Sequence, residues 1–408
     1  MTDILFPALQ KYYSALSSIE RFDKDKDFFD NIAAIDSFFS EYRNITFVLQ
    51  KSIAHSEYKE IYEKNRKKYL SNCKWLVEKR NEITKEHPVQ LVKQIDITVY
   101  LPYTDIHVVT KSFSVEDDAE LSELLEELKD FFESIDTVEV FFTATFSFID
   151  KTTSEDVYEK IIAGIHSMDG FLKAMYCEID EKTELTQTLI KRIGDKKFPT
   201  VPRELLLTDD YVYYPQRQTF DRADRFELII NTSEKNKMRA PLSSFDHVVT
   251  ISEWKDDYFK KFILLNVMIG TTDLMPTFMI VFNDSTFEIK TFNGGLKTTI
   301  YRKINELAHR VLQEDIRAVY FMMTYVSYPL QDKYLKMTSK ERLLLCSEEV
   351  LAFMEVEDGL SMREYCFLQE EIDDKRCILK KLANNNVPLS VGRFNMRPII
   401  DAFEIKKQ

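Results

Sequence analysis

The segment Arg80-Asn81-Glu82-Ile83-Thr84-Lys85-Glu86-His87 sets an arginine and a histidine seven positions apart. On an uninterrupted α-helix that step turns about 700°, so both side chains leave nearly the same face with Cα atoms about 10.5 Å apart. An arginine fork holds phosphate oxygens through paired N–H donors. An imidazole takes or gives a proton near neutral pH. Asn81 can orient the phosphate or the guanidinium beside it. These are the functions required when a 2′-hydroxyl attacks its neighbouring phosphodiester, and none of them needs a metal. The ordinary alternative is a surface ion pair and a helix-terminal histidine. Against it stands the stripe Tyr62, Arg66, Tyr69, Cys73, Leu76, Arg80, Ile83 and His87. Charged groups on a mostly apolar line are costly to bury unless paired or used.

A basic run, Lys64, Arg66, Lys67 and Lys68, lies upstream, with Tyr69 beside it. Such a run can track RNA phosphates while the ring stacks a base, although on most helices it is a solvated face. Residues 51–94 carry 11 Lys/Arg against 6 Asp/Glu in a chain whose net charge is −13. A polyanion is drawn to that stretch and repelled by most of the remainder. The same arginine–histidine spacing recurs at Arg302 and His309, where the apolar line is Ile300, Ile304, Leu307 and Val311. Arg302 falls about 200° from Ile300, which predicts that this second pair faces solvent.

The helix ending in Tyr42-Arg43-Asn44-Ile45-Thr46-Phe47-Val48-Leu49-Gln50-Lys51, followed by an aromatic and basic helix with the Arg80-Asn81…His87 motif, resembles the HEPN superfamily of bacterial toxin and defence ribonucleases. The resemblance covers about the first 90 residues. It implies an all-α domain, Arg80, Asn81 and His87 as the catalytic set, and RNA as substrate, cut without metal to leave a 2′,3′-cyclic phosphate. It further implies a homodimer whose two motifs form one composite site, with an antitoxin or another defence-system protein as partner. Many HEPN-like domains have no nuclease activity, so a docking or dimerisation module stays open beside the ribonuclease.

The elements that would carry these residues follow from periodicity. Helical spacing covers 4–20, 26–55 and 57–86, the last stopped by Pro88. Strands are expected at 95–102, 105–115 and 137–149. Ser114 is placed to cap an amphipathic helix whose outer face holds Glu116, Asp118, Glu120, Glu123, Glu126, Glu127 and Asp130. Helices follow at 153–176 and 182–193, an irregular proline-bearing stretch at 195–218 and a polar linker at 231–241. Next come a helix at 256–268, a hairpin of 277–283 with 286–292, a helix at 297–313, and strands near 317–327, 342–346 and 350–356. The fold class is therefore α+β and multidomain: a helical domain over 1–92, then mixed α/β domains over 93–230 and 242–408. The C-terminal part is expected to regulate, sense or bind a partner.

Composition removes several functions. With 8 glycines in 408 residues, neither GxGxxG nor a Walker-type loop occurs, so no nucleotide cofactor is expected. Five cysteines form no CxxC pair, which argues against a zinc or disulfide scaffold. His55, His107, His166 and His247 fit no metal-binding spacing. With no leader and no run of 18 apolar residues, a cytoplasmic protein without membrane contact is expected. One metal-dependent option remains: Glu288 and Lys290 with Asp273 or Asp284 could form a PD-(D/E)xK-type Mg²⁺ site. Alternation of Glu and Lys on a solvent-facing strand is the simpler account.

Overall fold

In the computed structural model the described residues are 3–26, 28–100, 107–115, 125–134, 139–179, 183–223, 228–230, 239–247, 257–269, 275–292, 294, 296–327, 337, 341, 348–358, 362–373, 376–381 and 391–407. Contacts divide the chain into two units. The first comprises 1–97, 111–125 and 145–208, and the second 98–110, 126–144 and 209–408. These cross the consecutive blocks 1–92, 93–230 and 242–408 expected above, because helices late in the first half return to pack on the N-terminal ones.

In the first unit, α1 (Phe6–Ile19) and α2 (Phe28–Ser52) form an antiparallel-type seam of residues three and four apart. Leu9, Tyr12, Leu16 and Ile19 meet it from one side, and Ile35, Phe38, Phe39, Tyr42, Ile45 and Leu49 from the other. The single helix expected over 57–86 is two: α3 (Lys59–Leu70) and α4 (Lys74–Lys85). Ser71, Asn72 and Cys73 are weak helix formers, and the Cys73 N–H turns back to the Leu70 carbonyl at 3.1 Å. The break resets the helical phase, so the stripe from Tyr62 to His87 is not one line.

Helix α6 (Val157–Glu178) starts at Asp156, whose carboxylate accepts the Glu159 N–H at 3.2 Å. It packs on α3 and α4, and α7 (Glu184–Gly194) packs on α1. Glycine makes the α6 contact close: a Cβ at Gly164 would stand 2.2 Å from Leu76 Cδ1. The Gly164 carbonyl accepts the Tyr42 hydroxyl at 2.9 Å.

A five-stranded sheet has the order β2-β1-β3-β4-β5. Its strands are β1 (Leu91–Tyr100), β2 (His107–Val115), β3 (Val140–Asp150), β4 (Thr208–Tyr214) and β5 (Thr219–Arg222). Strand β4 lies in the stretch read as irregular. Its sequence, Thr-Asp-Asp-Tyr-Val-Tyr-Tyr, is buried through Tyr213, and two adjacent aspartates conceal a strand from any hydropathy pattern. Helices α5 (Leu125–Glu133) and α8 (Arg203–Leu207) complete this part of the chain. Of the acidic helix expected after Ser114, residues 116–124 and the side chains of Glu126 and Glu127 lie outside the described residues.

The second unit holds an eight-stranded sheet, β13-β12-β11-β10-β8-β9-β6, with β7 also paired to β9. Here β6 is Leu228–Ile230, β7 Ala240–Pro241, β8 Thr277–Phe282 and β9 Thr286–Thr291. The others are β10 (Ile316–Ser327), β11 (Glu348–Glu357), β12 (Met362–Asp373) and β13 (Arg376–Lys381). The expected hairpin forms with Thr277 opposite Thr291, and Asp284 accepts the Thr286 N–H at 3.0 Å in its turn. Alternation sends Phe278, Ile280 and Phe282 to one core with α10 (Lys297–Gln313) and α11 (Val391–Lys406). Met279 and Val281 go to the other, with Phe259 and Phe262 of α9 (Tyr258–Ile269). The strand expected at 342–346 lies outside the described residues. Among the described residues no helix is long and apolar enough to cross a membrane.

Candidate functional site

The motif sits at the end of α4, and what holds that helix in place is Lys79, the neighbour of the arginine singled out above. Its side chain is 2% exposed, and its ammonium reaches Asp150 Oδ2 at 2.7 Å and Glu82 Oε2 at 2.8 Å. It also donates to Thr152 Oγ1 at 2.5 Å. Asp150, fully buried at the end of β3, accepts Thr152 at 3.0 Å and Thr153 at 2.5 Å. Trp75 Nε1 donates to Thr153 Oγ1 at 3.1 Å, so the start and the middle of α4 are both tied to the 150–153 turn. Burial alone would raise the Asp150 carboxyl. The Lys79 ammonium and the two threonine hydroxyls overcome that and hold it below its ordinary value.

Arg80 is half-buried and takes no part in that cluster. Its Nη1 donates to Asn81 Oδ1 at 3.4 Å, while its Nε is buried and has no hydrogen-bond partner. A buried donor left unsatisfied in a folded protein demands an account. Asn81 is exposed, and its carbonyl faces the arginine rather than the solvent alone.

His87 lies beyond the helix, past the cap at Glu86, because Pro88 follows it. The two side chains are thus not on one continuous helix, and the same-face geometry drawn from spacing does not apply. The chain nevertheless folds back: the His87 N–H reaches the Glu82 carbonyl at 3.4 Å. The His87 Nδ1 lies 3.0 Å from the Pro88 carbonyl and 3.7 Å from Glu82 Oε1. A carbonyl only accepts, so Nδ1 carries the proton and Nε2 keeps the lone pair of the neutral ring. Glu82 Oε1 is buried and makes no hydrogen bond. Glu82 and Lys79 were missed in the sequence. Their only signal was position, one turn apart, on the face that also buries Leu76.

On α3, Lys64, Arg66, Lys67 and Lys68 are all exposed. Arg66 approaches Glu63 at 3.6 Å, and Lys68 Nζ lies 4.7 Å above the Tyr69 ring. Tyr69 is half-buried, and a Cβ at Gly170 would stand 3.1 Å from its ring, so one edge of Tyr69 is packed on α6. Tyr62 is buried outright, donating to the Thr46 carbonyl at 3.2 Å. It belongs to the core and not to an RNA surface.

Glu288 is buried, not solvent-facing. Its carboxylate receives Arg310 Nη1 and Nη2 at 3.2 and 3.1 Å, which leaves it unsuited to hold Mg²⁺. Asp284 is turn chemistry and Asp273 lies outside the described residues. Among the described residues no three His, Cys, Asp or Glu side chains gather as a metal site. Arg302 is likewise not turned to solvent: it pairs with Asp210, which is fully buried and also accepts Thr143 and Thr299, each at 2.7 Å. Compared with family models, curated proteins and solved structures, the chain gives no match.

Proposed function

We propose that the first unit is a metal-independent endoribonuclease of HEPN type, acting in the cytoplasm in a toxin or anti-phage role. The observation that carries this reading is Arg80 Nε, a buried guanidinium donor with no partner, seven positions along the chain from an imidazole whose Nδ1 is engaged and whose Nε2 is left for chemistry. Arg80 holds the scissile phosphate and Asn81 fixes the guanidinium. His87 Nε2 takes the proton from the attacking 2′-hydroxyl. A proton returned to the departing 5′-oxygen leaves a 2′,3′-cyclic phosphate and a 5′-hydroxyl, with no net change in protons. A homodimer brings two such motifs together. Lys64, Arg66, Lys67 and Lys68 bind the RNA backbone, and the second unit regulates or senses.

Cleavage of mixed-sequence RNA in EDTA tests this, with Arg80→Ala and His87→Ala compared at matched folding. Cyclic-phosphate ends, lost in both variants by about 100-fold or more, are expected. Cleavage that survives both substitutions, or requires Mg²⁺, overturns the assignment. One observation favours a second reading, a docking or dimerisation module: Phe47 on α2 is 47% exposed with Lys51 Nζ 4.4 Å above its ring. That reading predicts no cleavage and a dimer that Phe47→Ser dissociates.

A further inference from the structure

The chain of contacts Asp150–Lys79–Glu82–His87 has a direction. Asp150, at the end of β3, fixes Lys79 at 2.7 Å. Lys79 takes one oxygen of Glu82 at 2.8 Å. The other oxygen, Glu82 Oε1, is buried without a hydrogen bond and faces His87 Nδ1 at 3.7 Å. The Glu82 side chain is only 22% exposed, so its rotamer is set from below by Lys79 and not by solvent. A carboxylate beside one ring nitrogen of a histidine fixes the tautomer and leaves the opposite nitrogen free, as carboxylates behind metal-bound and catalytic histidines do.

We infer that Glu82 is the positioning residue for His87, its charge adding to the Pro88 carbonyl in keeping the proton on Nδ1 and directing Nε2 outward, and that Lys79 and Asp150 hold Glu82 for that task. Its catalytic consequence rests on the ribonuclease reading; the orientation of the ring does not. The surface-salt-bridge alternative gives Glu82 no such effect, since Pro88 alone would then hold Nδ1.

Glu82→Gln keeps the shape, leaves Lys79 its partner Asp150, and removes the charge facing the ring. The full-length protein, labelled with ¹³C,¹⁵N-histidine and assigned at His87 by the His87→Ala spectrum, is compared with this variant in mildly alkaline buffer. The expected wild-type signature is the Nδ1–H tautomer, with the Nε2–H form rising in Glu82→Gln. In the RNA assay the same variant is expected to lose about 10- to 100-fold in kcat with KM unchanged. A tautomer shift together with a kcat loss supports the inference in full. A tautomer shift in a protein that cuts no RNA supports the positioning and overturns the ribonuclease reading alone. An unchanged tautomer overturns the inference whether or not the wild type cleaves.

Discussion

Arg80 with His87 and Arg302 with His309 share one spacing and meet opposite fates. Arg302 is claimed by a carboxylate that arrives from β4: Asp210 is fully buried, and its two oxygens are filled by Thr143, Thr299 and the guanidinium. His309 lies near Gln313 Nε2, 2.9 Å from its own Nε2. Arg80 meets no such carboxylate, because the buried acid of its unit, Asp150, is taken by the preceding residue. The difference teaches that an arginine–histidine spacing carries no chemistry by itself. What decides is which neighbouring cation the distant acid selects, and a shift of one residue along a helix, about 100°, is enough.

The sharpest way to break the comparison is to remove the cation on each side. Arg302→Met leaves Asp210 buried and uncompensated, and Lys79→Met does the same to Asp150. Each is expected to cost about 3–5 kcal/mol, read as a lower urea midpoint. A cost below about 0.5 kcal/mol, the range of ordinary surface substitutions, for either variant would mean that the pairing is incidental. Acid adds a second reading of the Lys79 side. Folded Asp150 lies below its ordinary value, so it contributes stability that is fully present above the unfolded carboxylate value and lost as pH falls through the folded one. Asp150→Asn should flatten the acid limb of a stability–pH curve, whereas a curve parallel to wild type would remove Asp150 from that account.

Much of this was legible in sequence, and the failures share a cause. The hairpin from Thr277 to Thr291 could be read because alternation and an Asn-Asp-Ser turn agree. Helices α1 and α2 of the first unit and α10 of the second followed from spacing of three and four. The break at Ser71–Cys73 was not readable, since intrinsic preference there is a weak prior that tertiary packing decides. Burial of Glu288, Arg302 and Asp210 was not readable either. Each charge is compensated by a partner 22 or 92 residues away, and no local pattern carries that information. On the stretch that carries the motif, the buried cation is Lys79 and not Arg80, one position from where the apolar line pointed.

A smaller effect is expected where α4 meets α6. The Cβ of Gly164→Ala would stand 2.2 Å from Leu76 Cδ1, so the Leu76 side chain must shift within the packed α4–α6 contact. Overpacking of this kind costs about 1–3 kcal/mol. Because Leu76 lies one turn before Lys79, the variant also separates stability from site geometry. A lower thermal midpoint with unchanged RNA cleavage per folded molecule would show that the Lys79–Asp150 tie alone sets the motif. Loss of both would show that helix position contributes.

The smallest change should come from Arg80 itself. Arg80→Leu removes a guanidinium whose Nε is buried without a partner and whose one side-chain bond, to Asn81, is long at 3.4 Å. Losing that bond costs little, while removing an unsatisfied donor returns its desolvation penalty, of order 1–3 kcal/mol for a group fully withdrawn from water. Arg80 is only half-buried, so the two terms nearly offset, and the urea midpoint should stay level or rise. A stable Arg80→Leu protein set against an Arg302→Met protein with a lowered urea midpoint would separate an arginine kept for a ligand from one kept for the fold. A drop in Arg80→Leu comparable to that of Arg302→Met would place both arginines in the same structural role and leave their shared spacing without functional meaning.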